Sequence, residues 1–198
     1  MFRLIIVCVL FSATHLFADE ADSFQLSAPQ GWGGETIQLP PGFARDMVWK
    51  GVEHIRFAPG MMKADSDTFF CYAFVFELKP ASLLSKAEIQ DELLKYYQGL
   101  CKAVLRGKHP DVDPAKFKLD IKLVDVGGQQ AIESSTDYVG TLDWVEPFST
   151  KKTQTLHLEI RTWSQDDQGF LFVAVSPLDQ NAAIWTQLRA IRNDYLKK

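Results

Sequence analysis

The hydrophobic pattern of the chain is densest over Thr68–Leu78, which is apolar at both sets of alternating positions. One face of this predicted strand carries Phe70, Tyr72, Phe74 and Phe76, and the other carries Phe69, Cys71, Ala73 and Val75. A strand without a polar face is normally covered on both sides. The pattern therefore predicts a central strand of a sheet. Phe170–Val175 repeats it and predicts a second central strand.

The segment that begins at Ser85 has the three-and-four spacing of an amphipathic helix. Ser85 is a predicted N-cap, and Glu88 completes a capping box with it. Gly107 is a predicted helix stop, and Pro110 prevents the helix from restarting. The predicted buried stripe consists of Ile89, Leu93, Tyr96, Tyr97, Leu100 and Val104.

A second helix is predicted close to the C-terminus. It opens with Ser176-Pro177-Leu178-Asp179, in which Ser176 is the predicted N-cap and Pro177 takes the first helical position. Its predicted buried face consists of Leu178, Ala182, Trp185, Leu188, Ile191 and Tyr195.

Alternation of apolar and polar residues predicts the remaining strands. These are Thr36–Leu39, Met47–Ala58, Phe117–Leu123, Gln130–Tyr138 and Leu156–Arg161, with a hairpin turn at Gly127-Gly128 and a loop over Asp143–Lys151. The predicted order is three strands, a helix, four strands and a helix. Because several strands have one polar face and each helix has one apolar stripe, we expect an α+β fold. Its antiparallel sheet has about six to seven strands, with two helices packed on it.

The first residues have the pattern of a secretory signal peptide. Arg3 supplies a positive charge, and the apolar run Leu4–Phe11 is too short to span a membrane. Ala18 is a small residue suited to cleavage before Asp19. A buried N-terminal strand is the alternative interpretation. The sequence predicts a signal peptide over residues 1–18, a single domain over residues 19–198, and a periplasmic or secreted protein.

The charge pattern argues against nucleic acid as a partner. The chain has 21 Lys and Arg against 25 Asp and Glu, which gives a net charge of −4. No cluster of basic residues alternates with aromatic residues, as it does in many nucleic-acid-binding surfaces. No segment after the signal peptide is predicted to span a membrane.

Cys71 and Cys101 are the two cysteines that follow the predicted signal peptide. An even number of cysteines in an exported protein favours a disulfide. If the first helix folds back over its strand, both residues lie about 23–24 Å from the connection, and so at the same height. Two buried free thiols are an equally good interpretation. Neither cysteine has an evident base beside it, so we assign neither a catalytic role.

Two strands carry candidate binding residues on their polar faces. His54 and Arg56 share one face of the predicted strand Met47–Ala58, because side chains alternate along a strand. His157, Glu159 and Arg161 share one face of a later strand. Each set is consistent with an ordinary solvated face. His54 and Arg56 together are suited to bind an anion, and if the two strands were neighbours, the five residues would form one polar patch.

Four aromatic residues lie outside the predicted helix and strand cores: Trp32, Trp49, Trp144 and Phe148. Clustered on loops, such residues would mark a binding surface, whereas packed over the ends of the sheet they would be core. We favour core, and we keep Trp49 as a candidate binding residue.

Sequence motifs for catalysis, metals and cofactors are weak. The run His109-Pro110-Asp111-Val112-Asp113-Pro114 has three metal-capable side chains, but its prolines favour a rigid turn. There is no Gly-x-Ser-x-Gly elbow. We therefore predict no metal site, no cofactor and no catalytic residue.

The order of elements resembles the PsbP-like fold of extrinsic and periplasmic α+β domains. The resemblance rests on the early "LPPGF" motif (Leu39–Phe43) before two strands, and on a last strand that runs into "SP" and a closing helix. It covers most of the chain as an order of elements. It implies an accessory or partner-binding role, and no functional residue of that family is matched here.

Together these features predict an exported, non-enzymatic binding or accessory module of the cell envelope, whose partner is a protein or a small ligand. Two alternatives remain. One is a small secreted hydrolase that uses His54 or His157 as its base, and the other is a structural envelope component.

Overall fold

The computed structural model describes residues 26–79, 84–124 and 135–197. The predicted signal peptide, the hairpin turn at Gly127-Gly128 and the start of the strand predicted over Gln130–Tyr138 lie outside these residues. Within the described part of the chain, seven strands and two α-helices follow the predicted order of three strands, a helix, four strands and a helix. The predicted α+β fold class is confirmed.

The bounds of the elements are as follows. The strands are β1 (Gly33–Leu39), β2 (Gly51–Phe57), β3 (Tyr72–Leu78), β4 (Lys118–Leu123), β5 (Thr136–Val145), β6 (Thr153–Gln165) and β7 (Gln168–Ser176). The helices are α1 (Lys86–Leu105) and α2 (Ile184–Tyr195), and a short 3-10 helix spans Pro114–Lys116.

All seven strands belong to one antiparallel sheet, in the order β1-β2-β3-β7-β6-β5-β4. The strands β3 and β7 occupy its middle, and β1 and β4 form its edges. These middle strands are the two segments that the sequence predicts to be central, because they are apolar on both faces. That prediction is confirmed.

In the part of the chain that the structure describes, one helix packs on each face of the sheet. On the face that we call the α1 face, aromatic residues of β3 such as Phe74 and Phe76 pack with Ile89 and Leu93 of α1. On the opposite face, the α2 face, the small residues between them, such as Val75, pack with α2. Alternation along a single strand thus supplies two separate hydrophobic cores.

The predicted start and end of α1 are confirmed. The Ser85 side chain accepts a hydrogen bond from the Glu88 amide, and the Glu88 carboxylate accepts one from the Ser85 amide, as a capping box requires. Arg106 and Gly107 take the left-handed conformation after the helix, with φ of 49° and 71°. The buried stripe includes Cys101 and Leu105 and leaves Leu100 and Val104 half-buried.

The closing helix starts later than predicted. Ser176 ends β7, and its hydroxyl accepts a hydrogen bond from the Leu178 amide in a turn. Helix α2 begins only at Ile184, without a side-chain cap. The segment between Ser176 and Ile184 is bound to α2, because the Trp185 indole donates a hydrogen bond to the Leu178 carbonyl at 3.0 Å. Serine before proline fits such a turn as well as it fits a helix start.

Several strand bounds also differ from the predicted ones, and β2 begins at Gly51 and not at Met47. Strand β3 begins at Tyr72 and not at Thr68, because Phe70 takes a left-handed conformation with φ 55° and its amide donates to the Met61 carbonyl. Strand β5 continues to Val145, so that Trp144 lies in a strand and not in the predicted loop.

Candidate functional site

The predicted polar residues lie on one face of the sheet but do not form one patch. Strand β2 carries His54 and Arg56, and β6 carries His157, Glu159 and Arg161. Strands β3 and β7 separate β2 from β6, which places the two sets about 14 Å apart at 4.8 Å per strand spacing. Both sets are on the α2 face. The condition for a combined polar patch, that the two strands are neighbours, is not met.

The buried imidazole of His54 joins three elements. Its Nδ1 lies 3.2 Å from the hydroxyl of Thr36 on β1, and its Nε2 lies 3.6 Å from the carboxylate of Glu77 on β3. The same carboxylate accepts a hydrogen bond from Tyr195 of α2 at 2.7 Å. The hydrogen bond from His54 lowers the pKa of Glu77, although partial burial opposes this shift. These contacts connect α2 to the first half of the sheet.

The charged residues of β6 have partners within the fold. Arg161 makes two hydrogen bonds to Asp137 on β5, at 2.7 and 2.6 Å. Glu159 accepts hydrogen bonds from Arg189 of α2, the shortest of them 2.6 Å, and has Arg192 at 3.8 Å. The two carboxylates are shared among three guanidinium groups, and their contacts make this cluster a connection between α2 and the sheet.

The other candidates are dispersed. Arg56 is buried and donates to the Trp32 carbonyl at 3.3 Å. His157 lines a groove with Asp120 and Lys122 near the β4 edge. Trp49 lies in the core of the α1 face, edge-on to Phe76. With Trp32 and Trp144 it is buried, as the favoured interpretation of the aromatic residues predicts, whereas Phe148 is half-buried and lines a pocket.

The two described cysteines are free thiols in separate cores. Cys101 of α1 lies in the core of the α1 face, and Cys71 lies in that of the α2 face. Burial raises the pKa of both thiols, that of Cys101 to about 11 with a further contribution from Glu146. The sequence left open a disulfide or two buried free thiols, and the structure contains the two buried free thiols.

A pocket on the α1 face, next to the β1 edge, was not predicted from the sequence. Its floor is formed by side chains of β1 and β2, among them Ile37 and Ile55, and one wall by Tyr96 and Leu100 of α1. Its cavity volume is about 180 Å³, and the cavity is partly open to solvent. That volume is smaller than the roughly 300–1,000 Å³ of sites for drug-sized ligands, and it suits a small molecule. We call it the edge pocket.

Two loops complete the edge pocket. The loop between β2 and β3 contributes Met61, Met62 and Phe70, and it is closed by the hydrogen bond from the Phe70 amide to the Met61 carbonyl at 2.9 Å. The turn after β5 contributes Phe148. Its shape is fixed by the buried carboxylate of Glu146, which accepts hydrogen bonds from consecutive backbone amides of residues 148–150. The loop and turn that line the pocket are therefore held by their own hydrogen bonds.

The segment between β1 and β2 is held against α1 at two points. Buried Glu92 accepts hydrogen bonds from the amides of Val48 and Trp49, at 2.8 and 3.2 Å. Further along the helix, Gly99 lies so close to Phe43 that a Cβ atom there would overlap the Phe43 carbonyl oxygen. This contact places the Phe43 ring against Tyr96, edge-on at a centroid distance of 5.1 Å, in the pocket wall.

A buried acid lies behind the same wall. Glu53 of β2 is 0% exposed, and its Oε1 accepts a hydrogen bond from the Tyr96 hydroxyl at 3.0 Å. Its Oε2 has no hydrogen-bond partner among the described residues. Burial raises the pKa of Glu53 from 4.5 to about 8; the Tyr96 hydrogen bond acts against this shift and the nearby Glu35 adds to it. Glu53 is therefore mainly protonated at neutral pH.

Sequence reasoning missed the edge pocket because its parts are far apart in the chain. The alternation on β2 does place Glu53 on the face opposite His54, but a single acid on a half-polar strand predicts a solvated side chain. The adjacent methionines Met61 and Met62 were one available signal, since methionine is common at adaptable binding surfaces.

No protein-family model matches the chain, and comparisons with curated proteins and with solved structures give no match. The resemblance to the PsbP-like fold therefore remains a prediction. In the described ranges no helix is both long and apolar enough to cross a membrane. Those same residues contain no group of three or more His, Cys, Asp or Glu side chains placed to hold a metal ion.

Proposed function

We propose that the protein is a non-enzymatic binding module of the cell envelope, and that it holds a small apolar ligand in the edge pocket. The observation that carries the proposal is the pocket itself, which is concave, largely apolar and bounded by loops that are held in place. Pockets with such a lining are typical sites for small hydrophobic molecules.

The lining supports binding more than chemistry. Among the described residues, half of the twelve that line the pocket are aromatic, and two more are methionines. Aromatic rings supply large contact areas, and thioethers adapt to the shape of a ligand. The nearest buried acid, Glu53, is bound to Tyr96 and is not among the lining residues.

Binding of an apolar fluorescent probe, N-phenyl-1-naphthylamine, to the purified protein tests this proposal. Ile37 lines the pocket from β1, and its neighbour Gln38 points to the other face and is exposed. We expect Ile37→Trp to fill the pocket and abolish binding, and Gln38→Trp to leave binding unchanged. Tryptophan is well accepted in strands at either position. Equal binding by both variants would contradict the proposal.

The envelope location is part of the same proposal and is supported by the sequence of residues 1–18. Sequencing the N-terminus of the protein recovered from an envelope fraction tests it. We expect the mature chain to begin at Asp19. Recovery of the unprocessed chain from the cytoplasm would contradict it.

A second candidate function is hydrolysis with His54 as the base. The observation that favours it is the row of Thr36 hydroxyl, His54 ring and Glu77 carboxylate, with separations of 3.2 and 3.6 Å. A hydroxyl, an imidazole and an acid in sequence are the groups that nucleophilic catalysis requires. A turnover that is lost in His54→Ala, found in a panel of ester, phosphate and glycoside substrates, would support this function. Absence of turnover across the panel would reject it.

A further inference from the structure

The edge pocket has an acidic and aromatic character that restricts what it can bind. Among the described residues that line it, Glu35 is the one with a formal charge, and no lysine, arginine or histidine is among them. Glu35 is exposed at the pocket mouth, beside the half-exposed Met62. A ligand with a negative head group would meet this carboxylate at the mouth.

A second carboxyl group lies close to Glu35. In the register of β1 and β2, Glu35 is opposite Ile55 and Ile37 is opposite Glu53, so the two acids are diagonal neighbours on the α1 face. Diagonal neighbours have Cβ atoms about 7 Å apart. Glu53 is fully buried and its Oε2 has no hydrogen-bond partner among the described residues. Glu53 thus lies close to Glu35 but outside the pocket lining, and because it is mainly protonated at neutral pH it leaves Glu35 as the charged acid of the pocket.

Aromatic rings are among the residues that line the pocket with Glu35. Phe57 and Tyr72 lie at the paired ends of β2 and β3, and Phe43 and Tyr96 contact each other edge-on. Aromatic faces attract cations through their quadrupole, and an alkylammonium group combines that attraction with an apolar surface.

We infer that the ligand of the edge pocket is a cationic amphiphile, an apolar molecule that carries a single amine or quaternary ammonium group. Its apolar part fills the space between the β2–β3 loop and α1, and its charge lies at Glu35. This inference rests on the proposed function, since it specifies the ligand of the same pocket. The charge complementarity at the mouth favours a cation over a fatty acid or a neutral lipid.

The test compares three ligands with the same ten-carbon chain: decyltrimethylammonium, decanol and decanoate, each below its micelle-forming concentration. Dissociation constants are measured by displacement of N-phenyl-1-naphthylamine. We expect the ammonium compound to bind about tenfold or more tightly than decanoate, with decanol between them. In Glu35→Gln, binding of the ammonium compound weakens about three- to fivefold and binding of decanol is unchanged.

Asp120→Asn serves as the matched control, because it removes one negative charge at the opposite edge of the sheet. It should leave all three constants unchanged. Decanoate binding as tightly as the ammonium compound, or the same ammonium preference in Glu35→Gln as in the unaltered protein, would overturn this inference while the proposed function stands. If none of the three compounds and no probe binds, the proposed function fails and the inference with it.

Discussion

Replacing Glu53 with glutamine should change how the stability of the protein depends on pH. The pKa of Glu53 is raised from 4.5 to about 8 by burial, with a smaller contribution from Glu35. Glutamine has nearly the same shape, and its carbonyl oxygen can still accept the hydrogen bond from Tyr96. The substitution therefore removes a titrating group and leaves the packing in place.

The sign follows from the direction of the shift. Below pH 4.5 the carboxyl group is protonated in both the folded and the unfolded states, so its stabilising contribution is fully present. As the pH rises from 4.5 to 8 the unfolded state loses the proton that the folded state keeps, and the free energy of unfolding falls. With pKa values of 4.5 and about 8, the loss is about 1 kcal/mol at pH 5 and about 5 kcal/mol at pH 9. Glu53→Gln should thus gain about 4 kcal/mol relative to the unaltered protein between these two pH values.

The assay is urea denaturation of both proteins at several pH values from 5 to 9, followed by tryptophan fluorescence. Other titrating groups contribute equally to both proteins, so the difference between the two curves isolates Glu53. Asp120→Asn, an exposed acid at the β4 edge, should give a curve parallel to that of the unaltered protein. Parallel curves for Glu53→Gln would show that Glu53 is ionised in the folded state, and would refute the description of this site.

Two further predictions concern packing. Cys71 and Cys101 should resist iodoacetamide until the protein is denatured, because burial raises the pKa of both thiols. Treatment with a reductant should leave the mass of the protein unchanged. Rapid labelling of the folded protein, or a mass increase of two hydrogens on reduction, would contradict this prediction. Gly99→Ala should lower the free energy of unfolding by about 1–3 kcal/mol and weaken probe binding, because the new methyl group displaces Phe43. Gly42→Ala should do neither, because apart from the adjacent residues no atom lies within 4 Å of the Cβ that it adds. Equal stabilities for the two glycine variants, measured by urea denaturation, would rule out the close contact.

The central architecture could be predicted because it depends on local patterns. Two strands that are apolar on both faces occupy the middle of the sheet, and the capping box marks the start of α1. Where a local pattern fits two structures, the prediction was wrong. Ser176 followed by proline fits a helix start or a turn, and only the contacts of Trp185 with the preceding chain select the turn.

The cysteines show what alternation can and cannot decide. Cys71 lies on the opposite side of its strand from Tyr72 and Phe74, and this was evident in the sequence. The sequence did not tell which side α1 covers. Once α1 lies on the aromatic side, with Tyr96 stacked on Phe74, Cys71 points away from Cys101. Equal height along the strand is therefore not enough for a disulfide.

The candidate site could not be predicted from the sequence, for a different reason. The sequence hypothesis grouped His54 with Arg161 on the condition that β2 and β6 are neighbours, and strand order is not encoded in any local pattern. The edge pocket likewise combines residues from β1, β2, α1 and two loops. The burial of Glu53 depends on the same long-range assembly.

The most direct test of the edge pocket is a methyl NMR titration of protein labelled at its methionines. Met61 and Met62 line the pocket, and Met47 is buried beside Trp49 in the core, outside the pocket lining. On addition of decyltrimethylammonium, we expect the methyl signals of Met61 and Met62 to shift and to saturate together, while the signal of Met47 stays in place. Unchanged signals at saturating ligand, or a shift confined to Met47, would contradict the assignment of this pocket as the ligand site.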